Sequence, residues 1–142
     1  MLSTSLAKET GPHARIAVQV RHQSMAAVFI RRHPRHRALG RLPFARVELR
    51  QRPWNRNYIG THFGGSLFAM TDPFWMLLTM HNLGRDYYVW DKAGSIEFVK
   101  PGRGTVTADF VIDDSVLAQL RQATANGEKH LRWFENDVHS RP

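Results

Sequence analysis

The sequence predicts an α+β fold in which an antiparallel sheet surrounds one helix. Three observations carry this. Short segments of alternating apolar and polar residues recur at 45–49 and 106–112. One apolar stretch, residues 67–83, has the length and all-round hydrophobicity of a buried helix. A shorter amphipathic helix is inserted among the later strands, so strands and helices do not alternate as they would in a parallel α/β sheet.

Each element follows from local pattern. Ala45, Val47 and Leu49 alternate with Arg46, Glu48 and Arg50, as in a strand with one buried face, and Pro53 ends it. Residues 55–65 are rich in Asn and Gly and read as a loop. The buried helix 67–83 is interrupted at Asp72-Pro73, because proline lacks the amide that the preceding turn would accept, and Gly84 stops it. Residues 87–90 and 95–100 read as strand with a bend at Ala93-Gly94. After a turn at 101–104, Val106, Ala108, Phe110 and Ile112 alternate as the antiparallel partner. Asp113, Asp114 and Ser115 offer caps for a helix whose apolar positions are Val116, Leu117, Leu120 and Ala123, closed by Asn126-Gly127. Leu131, Trp133 and Val138 mark the start of a final strand, and Trp54, Trp75, Trp90 and Trp133 are expected in the core or an interface.

The 142 residues make one domain, with 42% hydrophobic and 23% charged residues, ordinary for a globular protein. With no cysteine, disulfides, thiolate nucleophiles and zinc fingers are excluded. The longest apolar run, Phe74 to Met80, is far short of the ~20 residues that span a bilayer, so no membrane association is expected. The net charge of +8 is uneven: residues 10–47 hold eight arginines and no carboxylate, whereas residues 48–142 hold eleven Lys/Arg and eleven Asp/Glu. The chain thus reads as a neutral body, 44–142, behind a basic arm, 1–43. The arm admits three readings: a phosphate-binding segment, a targeting segment, or an extension without a role. Residues 16–20 alternate and read as a short strand within it. The histidines show no metal-ligand pair on a predicted helix, so no metal is expected.

Chemistry concentrates at residues 57–72. Gly64 and Gly65, at the mouth of the apolar helix, allow close backbone approach and leave the first helical N–H groups free for a carboxylate, a phosphate or the oxyanion of a carbonyl under attack. Asp72 is the only carboxylate between Glu48 and Asp86. It has two readings: N-cap of a second helical segment with Pro73 at the first position, or a carboxylate that faces a cleft as nucleophile or activator of water. Ser66 lacks the strand-to-helix setting of a nucleophile elbow.

The string Asn57-x-x-Gly60, then Phe63-Gly64-Gly65, then Asp72, resembles the Asn-x-x-Gly-x-x-His-Gly-Gly signature of hot-dog-fold acyl-CoA thioesterases. In the phenylacetate-pathway type the catalytic Asp follows the signature's histidine by nine positions, as Asp72 follows Phe63. Residues 95–102 are similar to the strand and turn that follow the helix there, and residues 47–134 resemble an uncharacterised thioesterase-like branch of that superfamily. The resemblance implies a hot-dog fold, a homodimer or dimer of dimers, and an acyl-CoA thioester bound at the dimer interface. It further implies that the Gly64 and Gly65 amides polarise the thioester carbonyl, that Asp72 attacks or activates water, and that Asn57 holds the water or the carbonyl. His62, Phe63 and Ser66 would line the substrate, and Lys100 and Arg103 would meet the phosphates of coenzyme A, which is part of the substrate; no separate cofactor is implied. The expected location is the cytoplasm.

The chain departs from that pattern in Phe63 at the histidine position, in Pro73 directly after Asp72, and at both ends. Residues 11–43 and 139 onward do not resemble the thioesterases, as a reading-frame change at each end would produce, and the sheet is expected to lack closing strands. The alternative function is a non-catalytic module whose arm binds nucleic acid or acidic partners.

Overall fold

The computed structural model describes residues 2–8, 28–29 and 42–140, the first two stretches as backbone alone. The expected strand at 16–20 and the arginines from Arg15 to Arg41 lie outside the described residues. In chain order the elements are β1 (Leu2–Lys8), β2 (Val28–Phe29), β3 (Phe44–Arg50), α1 (Gly64–Thr71), α2 (Phe74–Leu83), β4 (Tyr87–Gly94), β5 (Thr105–Val111), α3 (Asp114–Ala123), β6 (His130–Phe134) and β7 (Val138–Ser140). The strands make two antiparallel sheets, ordered β4-β1-β6 and β2-β3-β5-β7. The α+β class and the antiparallel pairing are as the sequence predicts.

The core forms where the alternating strands meet the helices. Ala45, Val47 and Leu49 of β3 lie in register with Phe110, Ala108 and Val106 of β5, and all six are buried. α2 packs against β3 of one sheet and β4 of the other, so burial of its apolar faces ties the two sheets together. The Phe110 ring centroid lies 5.2 Å from that of Phe74 and 5.3 Å from that of Trp75, and Trp75 stacks on Phe134 at 4.6 Å. Aromatic pairs of this geometry contribute about 1 kcal/mol each beyond their burial. Asn82 closes the end of α2: its carboxamide donates to the Leu42 and Leu78 carbonyls and accepts from the Leu42 amide.

The predicted helix is two segments. Asp72 N–H still donates to the Phe68 carbonyl, closing α1, and Leu77 N–H donates to the Pro73 carbonyl, opening α2. The break falls where proline removes a donor, and the helix begins at Gly64, three residues before the expected Leu67. Gly84, at φ 96°, ends α2 as predicted.

Three expectations are corrected. Residues 95–100 form no strand and make no hairpin with β5; β4 ends at Gly94, at the expected bend, and no strand follows it there. The reason is that β4 and β5 belong to different sheets, so the chain between them is a crossover. Leu131 and Trp133 face outward, and β6 instead turns Phe134 inward onto Trp75, a shift by one residue that exchanges the two faces. Of the four tryptophans expected in the core or an interface, Trp75 is in the core, while Trp54 and Trp133 are exposed. Residues 2–8, read as part of the arm, form the central strand of the three-stranded sheet. Among the described residues no helix is long and apolar enough to cross a membrane.

Thr79 is fully buried, and among the described residues its hydroxyl has no hydrogen-bond partner. Burying an unpaired hydroxyl costs ~1–3 kcal/mol. Thr79→Val is therefore expected to stabilise the fold by about 1 kcal/mol in urea unfolding, with no change in the slope.

Candidate functional site

The site is built where the loop after β3 hands the chain to α1. Asn55, buried at the end of a 3-10 turn (Pro53–Asn55), holds that loop. Its carboxamide donates to the Arg50 carbonyl at 2.9 Å and accepts from the Arg52 amide at 2.7 Å, while its backbone carbonyl accepts from Phe63 N–H at 2.8 Å. Residues 102–104 are tied to the same loop. Gln51 N–H donates to the Gly104 carbonyl at 2.8 Å, Gly104 N–H to Gln51 Oε1 at 3.1 Å, and His62 N–H to the Gly102 carbonyl at 2.9 Å.

These bonds fix how α1 begins. The Phe63 carbonyl accepts from both Ser66 and Leu67 N–H, at 2.9 and 3.2 Å. Among the described residues nothing accepts from the Gly64 or Gly65 amides, which remain the open donors at the positive end of the helix. The glycines also admit two rings. A Cβ on Gly64 would sit 2.7 Å from Phe98 Cζ, and one on Gly65 would collide with the Phe63 ring. The α1 entrance is thus walled by two phenyl rings, each of which would have to shift to admit a side chain at Gly64 or Gly65.

Asp72 lies seven residues after Gly65 and is still in helical conformation, with φ −49° and ψ −55°. Seven residues turn a helix through about 700°, within roughly 20° of two whole turns, so Asp72 lies on Gly65's side of the axis about 10 Å further on. The capping reading of Asp72 is overturned: Pro73 occupies the cap position of α2, and among the described residues the Asp72 carboxyl has neither a hydrogen bond nor a cation. Partial burial raises its pKa above the ordinary carboxylate value. Phe68, Ala69 and Met76, its neighbours at helical spacing, are half-buried as well, so this side of the helix is incompletely covered.

The other expected residues sort differently. Asn57 is occupied by its own loop: Nδ2 donates to Thr61 Oγ1 at 2.6 Å and to the His62 carbonyl at 3.3 Å, and Oδ1 accepts from Thr61 N–H at 2.9 Å. In this arrangement it shapes the turn and has no donor left to hold a water or a carbonyl. His62 is neither a surface group nor a lining one. It is buried, and Nε2 is 3.0 Å from the Gly104 carbonyl, which fixes the proton on Nε2 because a carbonyl only accepts. Arg103 donates to the Gly60 carbonyl at 3.2 Å, and Lys100, three residues earlier, is exposed. Ser66 lies half-buried in the first turn of α1. Sequence reasoning missed Asn55 and Phe98. An asparagine two residues after a loop proline, and a large apolar residue before a Pro-Gly turn, were the signals available.

A family model for a domain of unknown function, DUF4442, matches residues 11–136, and the chain belongs to that family. The match takes in the basic segment 11–43 as well as most of the folded body. No curated protein and no solved structure matches the chain.

Asp72 couples this site to stability. Its pKa is raised on folding, so the folded state binds its proton more tightly than the unfolded state, and the ionised form costs stability above the folded pKa. Asp72→Asn is expected to unfold at higher urea than the parent at pH 7. The advantage should disappear as pH falls below 3.8, the ordinary carboxylate value, where the parent is neutral in both states.

Proposed function

We propose that this member of the DUF4442 family is a hot-dog-like domain that binds an acyl thioester, such as an acyl-CoA, at the α1 entrance and hydrolyses it. The observation that carries the reading is the pairing of two amides, on Gly64 and Gly65, that are open among the described residues with a partly buried carboxyl, unpartnered among the same residues, on the same side of the same helix. Each needs what the other leaves free. The amides can donate to the carbonyl oxygen, and the carboxylate can take a proton.

In the proposed reaction the thioester carbonyl oxygen receives hydrogen bonds from the Gly64 and Gly65 N–H groups, which point where negative charge develops. Asp72, ionised, draws a proton from a water as that water's oxygen bonds to the carbonyl carbon. Collapse of the tetrahedral adduct breaks the C–S bond, and the thiolate leaves and takes up the proton, giving a carboxylic acid and free thiol. The raised pKa suits Asp72 to this task, because a carboxylate destabilised by burial is the stronger base. The rings of Phe63 and Phe98 reduce the water around the entrance and so strengthen the amide contacts. Phe68, Ala69 and Met76 offer an apolar track for the acyl chain, and a second copy of the chain would cover that track from outside.

The test is thiol release from a panel of acyl-CoAs by the full chain. Asp72→Asn is expected to lower kcat by about 10²-fold or more while acyl-CoA binding persists. A variant that hydrolyses as fast as the parent contradicts the assignment. Binding of acyl-CoA with no turnover by the parent points to a non-catalytic thioester-binding domain.

A further inference from the structure

The two loops that frame the α1 entrance form one surface. Besides the backbone bonds already described, Gln51 Nε2 and the Arg103 guanidinium both donate to the Gly60 carbonyl, at 3.0 and 3.2 Å. This joined surface presents large apolar side chains to solvent: Trp54 is 66% exposed, Tyr58 fully, Ile59 70%, Phe98 59% and Val99 78%. Tyr58 and Ile59 sit at the loop tip, where the turn is closed by backbone bonds from Asn57 to Gly60 and Thr61 and needs neither side chain. Apolar groups concentrated at loop tips cost solubility, and such a patch marks a partner.

Charge identifies that partner. Arg52, Arg56, Lys100 and Arg103 are all exposed on these loops, with Arg50 exposed at the adjoining end of β3, and the sequence has no carboxylate between Glu48 and Asp72 or between Glu97 and Asp109. A second copy docked on this face about a two-fold axis would set the same cations against one another. A nucleic-acid strand would use the rings, but Ile59 and Val99 are aliphatic and offer no face for a base to stack on. A bilayer with anionic headgroups fits every component. Trp and Tyr rings settle at headgroup level, aliphatic tips enter the acyl boundary, and cations meet the headgroups at a gain of about fivefold in affinity each.

We propose that the loops 52–60 and 98–103 are a peripheral docking surface for an anionic lipid bilayer, with Tyr58 and Ile59 as the inserting tip. The proposal goes beyond the thioester reading and does not depend on it. Docking would bring the α1 entrance, whose wall Phe98 belongs to the second loop and whose wall Phe63 closely follows the first, to the lipid surface.

The experiment is co-sedimentation of the full chain with phosphatidylcholine vesicles, with and without phosphatidylglycerol, at low and high salt. The parent is expected to bind the phosphatidylglycerol vesicles selectively and to lose affinity as salt rises. Tyr58→Ser/Ile59→Ser, checked for folding by circular dichroism, is expected to bind roughly tenfold more weakly or worse, and Val99→Ser on the second loop is expected to weaken binding independently. The arginines of residues 10–47 remain in every variant, so a Tyr58→Ser/Ile59→Ser protein that binds as tightly as the parent assigns the affinity to that segment and overturns the proposal. Absence of selective binding by the parent overturns it too. So does a Tyr58→Ser/Ile59→Ser protein that changes from dimer to monomer with vesicle affinity intact, since the face then belongs to a second copy. No substrate is present in this assay, so its failure leaves the thioester reading standing.

Discussion

The site depends on one constraint: the chain must enter α1 with Phe63 held by Asn55, so that the Phe63 carbonyl serves the Ser66 and Leu67 amides and leaves those of Gly64 and Gly65 open among the described residues. A buried asparagine whose carboxamide nitrogen and oxygen are both hydrogen-bonded is a rigid anchor, because releasing it would strand polar groups in the interior. The second tie, from residues 102–104 to Gln51 and His62, pulls the crossover after β4 down onto the loop and carries the Phe98 ring onto Gly64. Replacing either glycine would add a Cβ where a ring now lies. The paired glycines, the two phenyl rings and the open amides are therefore one arrangement.

The break at Asp72-Pro73 gives the acid its character. In an unbroken helix, position 72 would be one more turn packed into an apolar stretch. Here the carboxyl sits at a join between two segments, partly withdrawn from water and, among the described residues, unpaired. A group kept in an environment that disfavours its charged form lowers stability, and such groups are held where chemistry uses them. The same holds for the exposed apolar tips of the neighbouring loops, which the fold itself does not require.

Much of the architecture was legible in the sequence, and the exceptions have physical causes. β3 and β5 were readable because each buries one face, so period-two alternation survives in Ala45, Val47 and Leu49 and in Val106, Ala108 and Phe110. α3 was readable from its caps, and Asp113 does accept from Val116 N–H at 2.9 Å. Residues 2–8 were not readable. Their apolar positions do not alternate, and they become a strand because β4 and β6 flank them on both sides. Residues 95–100 carry strand-like residues, yet their ends are committed to different sheets, which local pattern cannot reveal. In β6 two faces competed, Leu131 and Trp133 against Arg132 and Phe134, and contact with Trp75 decided between them. At the site, the glycine pair and the isolated acid stood out by residue type alone. The inward role of His62 and the loop-holding roles of Asn55 and Asn57 follow from hydrogen bonds that spacing does not encode.

The central claim is that the Gly64 and Gly65 amides grip a thioester carbonyl. Titrating the 15N-labelled chain with an acyl-CoA analogue in which a methylene replaces the thioester sulfur, leaving an uncleavable ketone, tests it directly. The account predicts that the Gly64 and Gly65 amide protons shift downfield together and exchange more slowly with solvent as the ketone saturates. Saturable binding that moves neither glycine amide, with the shifts confined to other surfaces, would contradict it.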